Sequence, residues 1–143
     1  MNTISSILAR KGTDTVSVAP QTTVLDALRI MAEKNIGSVM VIENGEYLGL
    51  VSERDYSRKV ILKGKHSDDT LVSEIMTTDL PTVTPKDSVE HCMSLMTKNA
   101  IRYIPVFEGG KLAGLISMSD VVKETILSQK ETINQLESYI HSH

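Results

Sequence analysis

Gly49-Leu50-Val51-Ser52-Glu53-Arg54-Asp55 and Gly114-Leu115-Ile116-Ser117-Met118-Ser119-Asp120 read as one phrase written twice. Each is an apolar strand end running into Ser-x-x-Asp. The two copies stand 65 positions apart, and the match extends without a gap from Val18–Ser57 to Val83–Val122. Twelve of those forty pairs are identical: Val18/Val83, Pro20/Pro85, Val24/Val89, Met31/Met96, Ile36/Ile101, Val41/Val106, Glu43/Glu108, Gly45/Gly110, Gly49/Gly114, Leu50/Leu115, Ser52/Ser117 and Asp55/Asp120. Self-similarity at a fixed period is a fold-level signal. Two such units account for nearly all of the 143 residues.

Each unit predicts β-α-β-β-α. Thr15 to Val18 and Thr82 to Thr84 are short β-branched segments ended by Pro20 and Pro85, which lack a donor for a sheet ladder. Thr22/Thr23 and Asp87/Ser88 suit helix caps. Val24, Ala27, Leu28 and Met31 then recur at helical spacing, as do Val89, Cys92, Met93 and Met96. Those methionines and Cys92 are expected in the core. Ser38 to Ile42 and Tyr103 to Phe107 are apolar strands, followed by Glu43-Asn44-Gly45 and Glu108-Gly109-Gly110, which suit tight hairpin turns. Tyr47 to Val51 and Leu112 to Ile116 return, and helices follow over Arg54 to Leu62 and from Ser119. Ile4, Ile7 and Leu8 predict a short N-terminal helix; Val72, Ile75 and Met76 predict its counterpart before the second unit.

From Ser119 to about His141 there is no Pro or Gly, enough for a helix of roughly 34 Å. Val122, Ile126, Ile133, Leu136 and Ile140 lie on one stripe of it, interrupted by Gln129, and a homodimer contact is expected there. The expected division is 1–70 for the first unit with its N-terminal helix, 71–128 for the second, and 129–143 for a C-terminal helical extension. The fold class is α/β (α+β): tandem repeats with pseudo-twofold symmetry around an aliphatic core, since Trp is absent and Phe occurs once.

Composition narrows the function classes. Fifteen Lys and Arg against eighteen Asp and Glu give a net charge of -3, which argues against a surface built to grip nucleic acid. Cys92 is the single cysteine, so no intrachain disulfide and no cysteine metal cluster is expected. No apolar run reaches the roughly eighteen residues of a membrane span. Met1 to Arg10 shows no secretory pattern, so a cytoplasmic location is expected. His66 and His91 have no carboxylate partner at a motif spacing, and His141 and His143 read as a polar terminus. No metal, no catalytic cofactor and no enzyme activity is expected.

A paired β-α-β-β-α unit ending in Gly-x-x-Ser-x-x-Asp resembles the tandem cystathionine β-synthase (CBS) domain pair, the Bateman module, over about residues 1 to 128. Ile101-Arg102-Tyr103-Ile104-Pro105-Val106 is typical of that family's second unit, whereas the first unit carries Gly37-Ser38-Val39-Met40 in that stretch. Ser52-Glu53-Arg54-Asp55-Tyr56 followed by Arg58-Lys59 resembles stand-alone bacterial members. The resemblance implies a non-catalytic regulatory module that dimerises and binds an adenosine nucleotide in clefts between two units. AMP, ATP and NAD lead the candidate ligands, with ADP and S-adenosylmethionine also known in the family. A protein partner would read out the bound state.

On that footing the residues divide by chemistry. Asp55 and Asp120 begin helices, and a carboxylate there suits a ribose diol, with Ser52 and Ser117 three residues earlier and Ser119 beside them. Arg54, Arg58, Lys59 and Arg102 are the phosphate candidates. Val16, Val18, Ile36, Gly37, Ser38, Thr82, Val83, Ile101, Tyr103, Ile104 and Pro105 border the expected adenine slot. Helix capping is the competing explanation for the Ser/Asp pairs. The competing function is nucleic-acid binding or scaffolding through the Arg54 to Lys65 patch, and a small enzyme stands behind both.

Overall fold

The computed structural model describes residues 2–141 and divides into two compact units. One is Thr15–Leu80, the first-repeat unit. The other joins the segment up to Asp14 to the segment from Pro81 onward, the second-repeat unit.

In the first-repeat unit, β1 (Ser17–Val18) pairs parallel with β2 (Ser38–Glu43), which pairs antiparallel with β3 (Glu46–Ser52). α2 (Val24–Lys34) connects β1 to β2. Thr23 caps α2 by accepting from the Asp26 amide at 3.2 Å, and Asn35 closes it at φ 54°. Asn44 (φ 53°) and Gly45 (φ 77°) make the hairpin turn, both in the left-handed region that Asn and Gly tolerate. α3 (Glu53–Lys59) ends earlier than the sequence suggests: the chain turns at Val60 into a 3-10 turn over Ile61–Lys63. Val60 is buried, whereas Ile61 and Leu62 are exposed, so the anchored residue is the one that interrupts the helix. α4 (Val72–Ile75) completes the unit by burying Val72 and Ile75 in the core with Val24, Met31, Val39 and Val51.

The second-repeat unit has α5 (Val89–Asn99), the hairpin β4 (Tyr103–Glu108) and β5 (Lys111–Ser117), and α6 (Met118–His141). Ser88 caps α5 through the His91 amide at 3.0 Å. The register slips between Val106 and Phe107, as it does between Val41 and Ile42 in the first repeat. Cys92 and Met96 are buried as expected; burial pushes the Cys92 thiol up to about 11, and the Asp87 charge adds to it. Met93, also expected inside, is 37% exposed, because it stands one position past the buried stripe of Val89, Cys92 and Met96.

Two expectations change. Thr82 to Thr84 forms no strand; only a parallel bridge joins Val83 to Val106. In the first repeat the Met40 amide donates to Val16 O at 3.0 Å, and the residue matching Met40 is Pro105, which has no N–H to give. α1 (Ile4–Lys11) packs in the second-repeat unit, not with the first repeat as the 1–70 and 71–128 division holds. Ile4, Ile7 and Leu8 join its core with Ile104, Ile116 and Val121, and the Ile4 amide donates to Asp87 O at 2.9 Å. Fully burying one such aliphatic side chain stabilises by about 1.5–3 kcal/mol, so three anchors hold a helix of eight residues. α6 runs unbroken through residue 128 to His141, the continuous helix that the sequence predicts from Ser119. His143 lies outside the described residues.

Candidate functional site

The two strand-to-helix corners, β3 into α3 and β5 into α6, are built alike. Each opens with a helix-start amide bonded to the backbone before the preceding hairpin. Glu53 N–H donates to Gly37 O at 3.1 Å, and Met118 N–H donates to Arg102 O at 2.8 Å. Each then closes a reciprocal cap. The Asp55 amide donates to Ser52 Oγ at 3.2 Å while Ser52 N–H donates to Asp55 Oδ2 at 2.9 Å. At the second corner the distances are 3.2 Å and 2.8 Å for Asp120 and Ser117. A simple cap needs one member of each Ser/Asp pair, which is why the sequence points beyond capping. The reciprocal box uses both, so the fold alone accounts for the repetition of these residues.

The corners differ in what else reaches the carboxylate. Asp55 is 8% exposed and also accepts from Ser52 Oγ at 3.1 Å, Thr77 Oγ1 at 3.1 Å and Lys59 Nζ at 2.9 Å. With two acceptors' worth of lone pairs per oxygen, that carboxylate is filled. Lys59, a phosphate candidate from the sequence, is instead spent locally: it holds Asp55 and donates to Ile75 O at 2.8 Å and Thr77 Oγ1 at 3.3 Å. Asp120 receives Lys11 Nζ at 2.7 Å and the Ser117 amide, both on Oδ2. Its Oδ1 keeps acceptor capacity. Lys11 also donates to Leu115 O at 2.9 Å.

Burial works to raise the Asp120 carboxyl, but the Lys11 and Ser117 hydrogen bonds with the Lys11 charge outweigh it and hold it below its usual value. A carboxyl depressed in the folded state contributes stability that is fully present above its unfolded value, near 3.9, and is lost as pH falls through the folded one. The gap in urea midpoint between the wild type and Asp120→Asn is therefore expected to be constant above about pH 5 and to shrink below about pH 4. A gap that persists undiminished at pH 2.5 would remove the charged pair as its cause.

The remaining candidates fall into three groups. Arg54, Arg58 and Arg102 are exposed, as are Ser119 and Thr82. Gly37 fills the position that Arg102 holds in the second repeat, and Ser119 the position that Arg54 holds in the first, so each corner carries one arginine from a different element. Val16, Ile36 and Ile101 are half-buried against their unit's core, and Ser38 and Tyr103 lie opposite Ser52 and Ser117 in register. Val18, Val83 and Ile104, expected to line an adenine slot, are core residues whose side chains face their own unit, and Pro105 is buried with them. Val83 has also committed its backbone: its amide donates to Pro105 O and its carbonyl accepts from Phe107.

The sequence missed Lys11 and Thr77. Both lie at the ends of the leading helices, at positions matching Met76 and Gly12 in the other repeat, so the repeat carries no sign of them. Among the described residues no cluster of His, Cys, Asp and Glu could hold a metal, and no helix is long and apolar enough to cross a membrane.

Comparison with known proteins agrees with this architecture. The CBS domain profile matches twice, at residues 4–61 and 72–126. The chain is 37% identical to the CBS domain-containing protein CBSX3, mitochondrial, of Arabidopsis thaliana over 96% of its own length and 71% of that protein's. It is 30% identical to the CBS domain-containing protein YhcV of Bacillus subtilis, over 82% of this chain and 84% of the other. A solved CBS-domain protein from Burkholderia ambifaria superposes with a TM-score of 0.86 at 44% identity, covering 90% of this chain and 96% of that one. Proteins built on such pairs are generally regulatory, and the matching profile is not that of a catalytic family. The chain belongs to the CBS domain family and carries two CBS domains in tandem.

Proposed function

We propose that this protein is a non-catalytic regulatory module that binds an adenosine nucleotide, AMP foremost with ATP and NAD as the other candidates, and works as a homodimer in the cytoplasm. The reading rests on the Asp120 corner. Its carboxylate stands at the start of a long helix with Oδ1 open to further donors, which suits a ribose diol. Arg102 is exposed, and its carbonyl is bonded to the first amide of that helix, which roots a cation beside the corner for phosphate. Asp55, filled by its own unit, is the weaker of the two ribose candidates. The lone buried thiol of Cys92 suits a reducing compartment.

Calorimetry on the nucleotide-stripped full chain tests this with AMP, ATP and NAD. Binding tighter than millimolar is expected for at least one. Asp120→Asn is expected to weaken it by about tenfold or more, since hydrogen bonds to a charged group are worth roughly 1.5–3 kcal/mol each. No heat with any of the three, or an unchanged affinity in Asp120→Asn, would end the proposal. Salt-dependent RNA binding that survives Asp120→Asn would move the reading to the exposed Arg54, Arg58, Lys63 and Lys65.

A further inference from the structure

α6 has two faces with opposite fates. Val121 and Glu124 are buried in their own unit, Glu124 accepting from Arg10 Nε at 3.1 Å and Asn2 Nδ2 at 3.1 Å. On the other side Val122, Ile126, Gln129, Ile133, Leu136 and Ile140 follow one another at alternating steps of four and three. The five aliphatics among them are 47–68% exposed. An open groove of about 570 Å³ runs along the start of this stripe, past Val122 and Ile126. From Gln129 to His141 every residue is exposed. Thirteen residues of helix with so little of their own chain against them are at the margin of what a helix sustains alone.

Alternating four-three spacing is the seam of a coiled coil, with Ile126, Ile133 and Ile140 at the a positions and Val122, Gln129 and Leu136 at d. We propose that this face pairs with the same face of a second copy of the chain as a parallel, in-register, two-stranded coiled coil. Isoleucine at all three a positions, with Leu136 at one of the three d positions, favours two parallel strands. Gln129 decides the occupant. In register it meets the partner's Gln129, and two amides can each donate and accept. Antiparallel packing sets Ile126 against the partner's Leu136 and Val122 against the partner's Ile140, which leaves Gln129 facing the partner's Ile133 with its amide unpaired. A wholly apolar groove on another protein leaves it equally unpaired. The flanking residues agree: Thr125 meets the partner's Lys130, and Thr132 meets the partner's Glu137, so no like charges oppose.

This surface rests on the homodimer reading and is independent of nucleotide. Sedimentation of the full chain at about 10–100 μM is expected to show a dimer. Ile133→Glu and Leu136→Glu should each raise the dissociation constant by about a hundredfold or more while the dissociated chain keeps its strand and helix content by circular dichroism, because both positions are exposed within the chain. Ile133→Cys should form an interchain disulfide under mild oxidation. A monomeric wild type overturns the inference whatever nucleotide binding shows. A dimer that survives Ile133→Glu also overturns it, while leaving the homodimer reading intact. Cross-linking of Ile133→Cys chains only when mixed with Gln129→Cys chains overturns the parallel register.

Discussion

Asp55→Ala is expected to destabilise the first-repeat unit by about 2–4 kcal/mol. The carboxylate joins the start of α3 to Thr77, just after α4. It takes the Ser52 amide and hydroxyl on one oxygen, and Thr77 Oγ1 and Lys59 Nζ on the other. Alanine removes the acceptor that all four share, and of them Lys59 keeps Ile75 O and Thr77 Oγ1. The Lys59 ammonium can turn to water, since its side chain is 43% exposed, which keeps the loss below that of a fully buried pair. The Ser52 amide and the Thr77 hydroxyl have less freedom. A domain is stable by only about 5–15 kcal/mol in all, so this is a large fraction of the whole. Asp120→Ala should cost about 1–2 kcal/mol, because it strands only the Ser117 amide and a lysine that is 35% exposed. Hydrogen exchange read by mass spectrometry, with urea unfolding alongside, separates the two. Protection should fall across Thr15–Leu80 in Asp55→Ala and in the other unit in Asp120→Ala. Equal costs for the two substitutions would show that the filled carboxylate is not what holds its corner.

Much of this architecture is legible in the sequence because the repeat checks every local reading twice. Asn44-Gly45 and Gly109-Gly110 both lie at positive φ, as their residue types demand, and Thr23 and Ser88 both cap. What the repeat hides is whatever one copy has and the other lacks. Pro105 against Met40 deletes a rung of the ladder, and only the proline itself, with no N–H to give, announces it among the apolar residues of Tyr103 to Phe107. Lys11 reaches Asp120 across 109 positions, and no periodicity operates over that distance. The leading helices mislead for a related reason. α1 precedes the first repeat in the chain, so proximity in sequence assigns it there, but its three apolar anchors fit the core that lacks a helix of its own in that place. Val18, Val83 and Ile104, which border the expected adenine slot in sequence terms, are buried in the cores of their own units.

The Gly49/Gly114 pair is the clearest case of a repeated residue whose reason lies outside the local motif. Neither glycine has a positive φ, so conformational freedom does not explain them; space does. A Cβ on Gly49 would sit 2.9 Å from Thr77 O and 3.1 Å from the Met76 side chain. Thr77 O is fixed there because it accepts from the Leu50 amide at 3.0 Å, while Thr77 N–H donates to Leu50 O at 2.8 Å. Moving that carbonyl breaks both bonds and pulls Thr77 Oγ1 away from Asp55. At Gly114 the near atom is Leu8 Cδ2, at 2.8 Å, the far end of a side chain that can rotate. The same substitution thus meets backbone in one unit and a flexible tip in the other. Gly49→Val is expected to cost about 3 kcal/mol or more, and Gly49→Ala about 2 kcal/mol. Gly114→Ala should cost about 1 kcal/mol or less, since Leu8 can give way within its own helix face. Urea midpoints of the three variants decide it. If Gly114→Ala proves as damaging as Gly49→Ala, the pressing atom is not the Thr77 carbonyl, and the bridge between Leu50 and Thr77 is looser than these distances require.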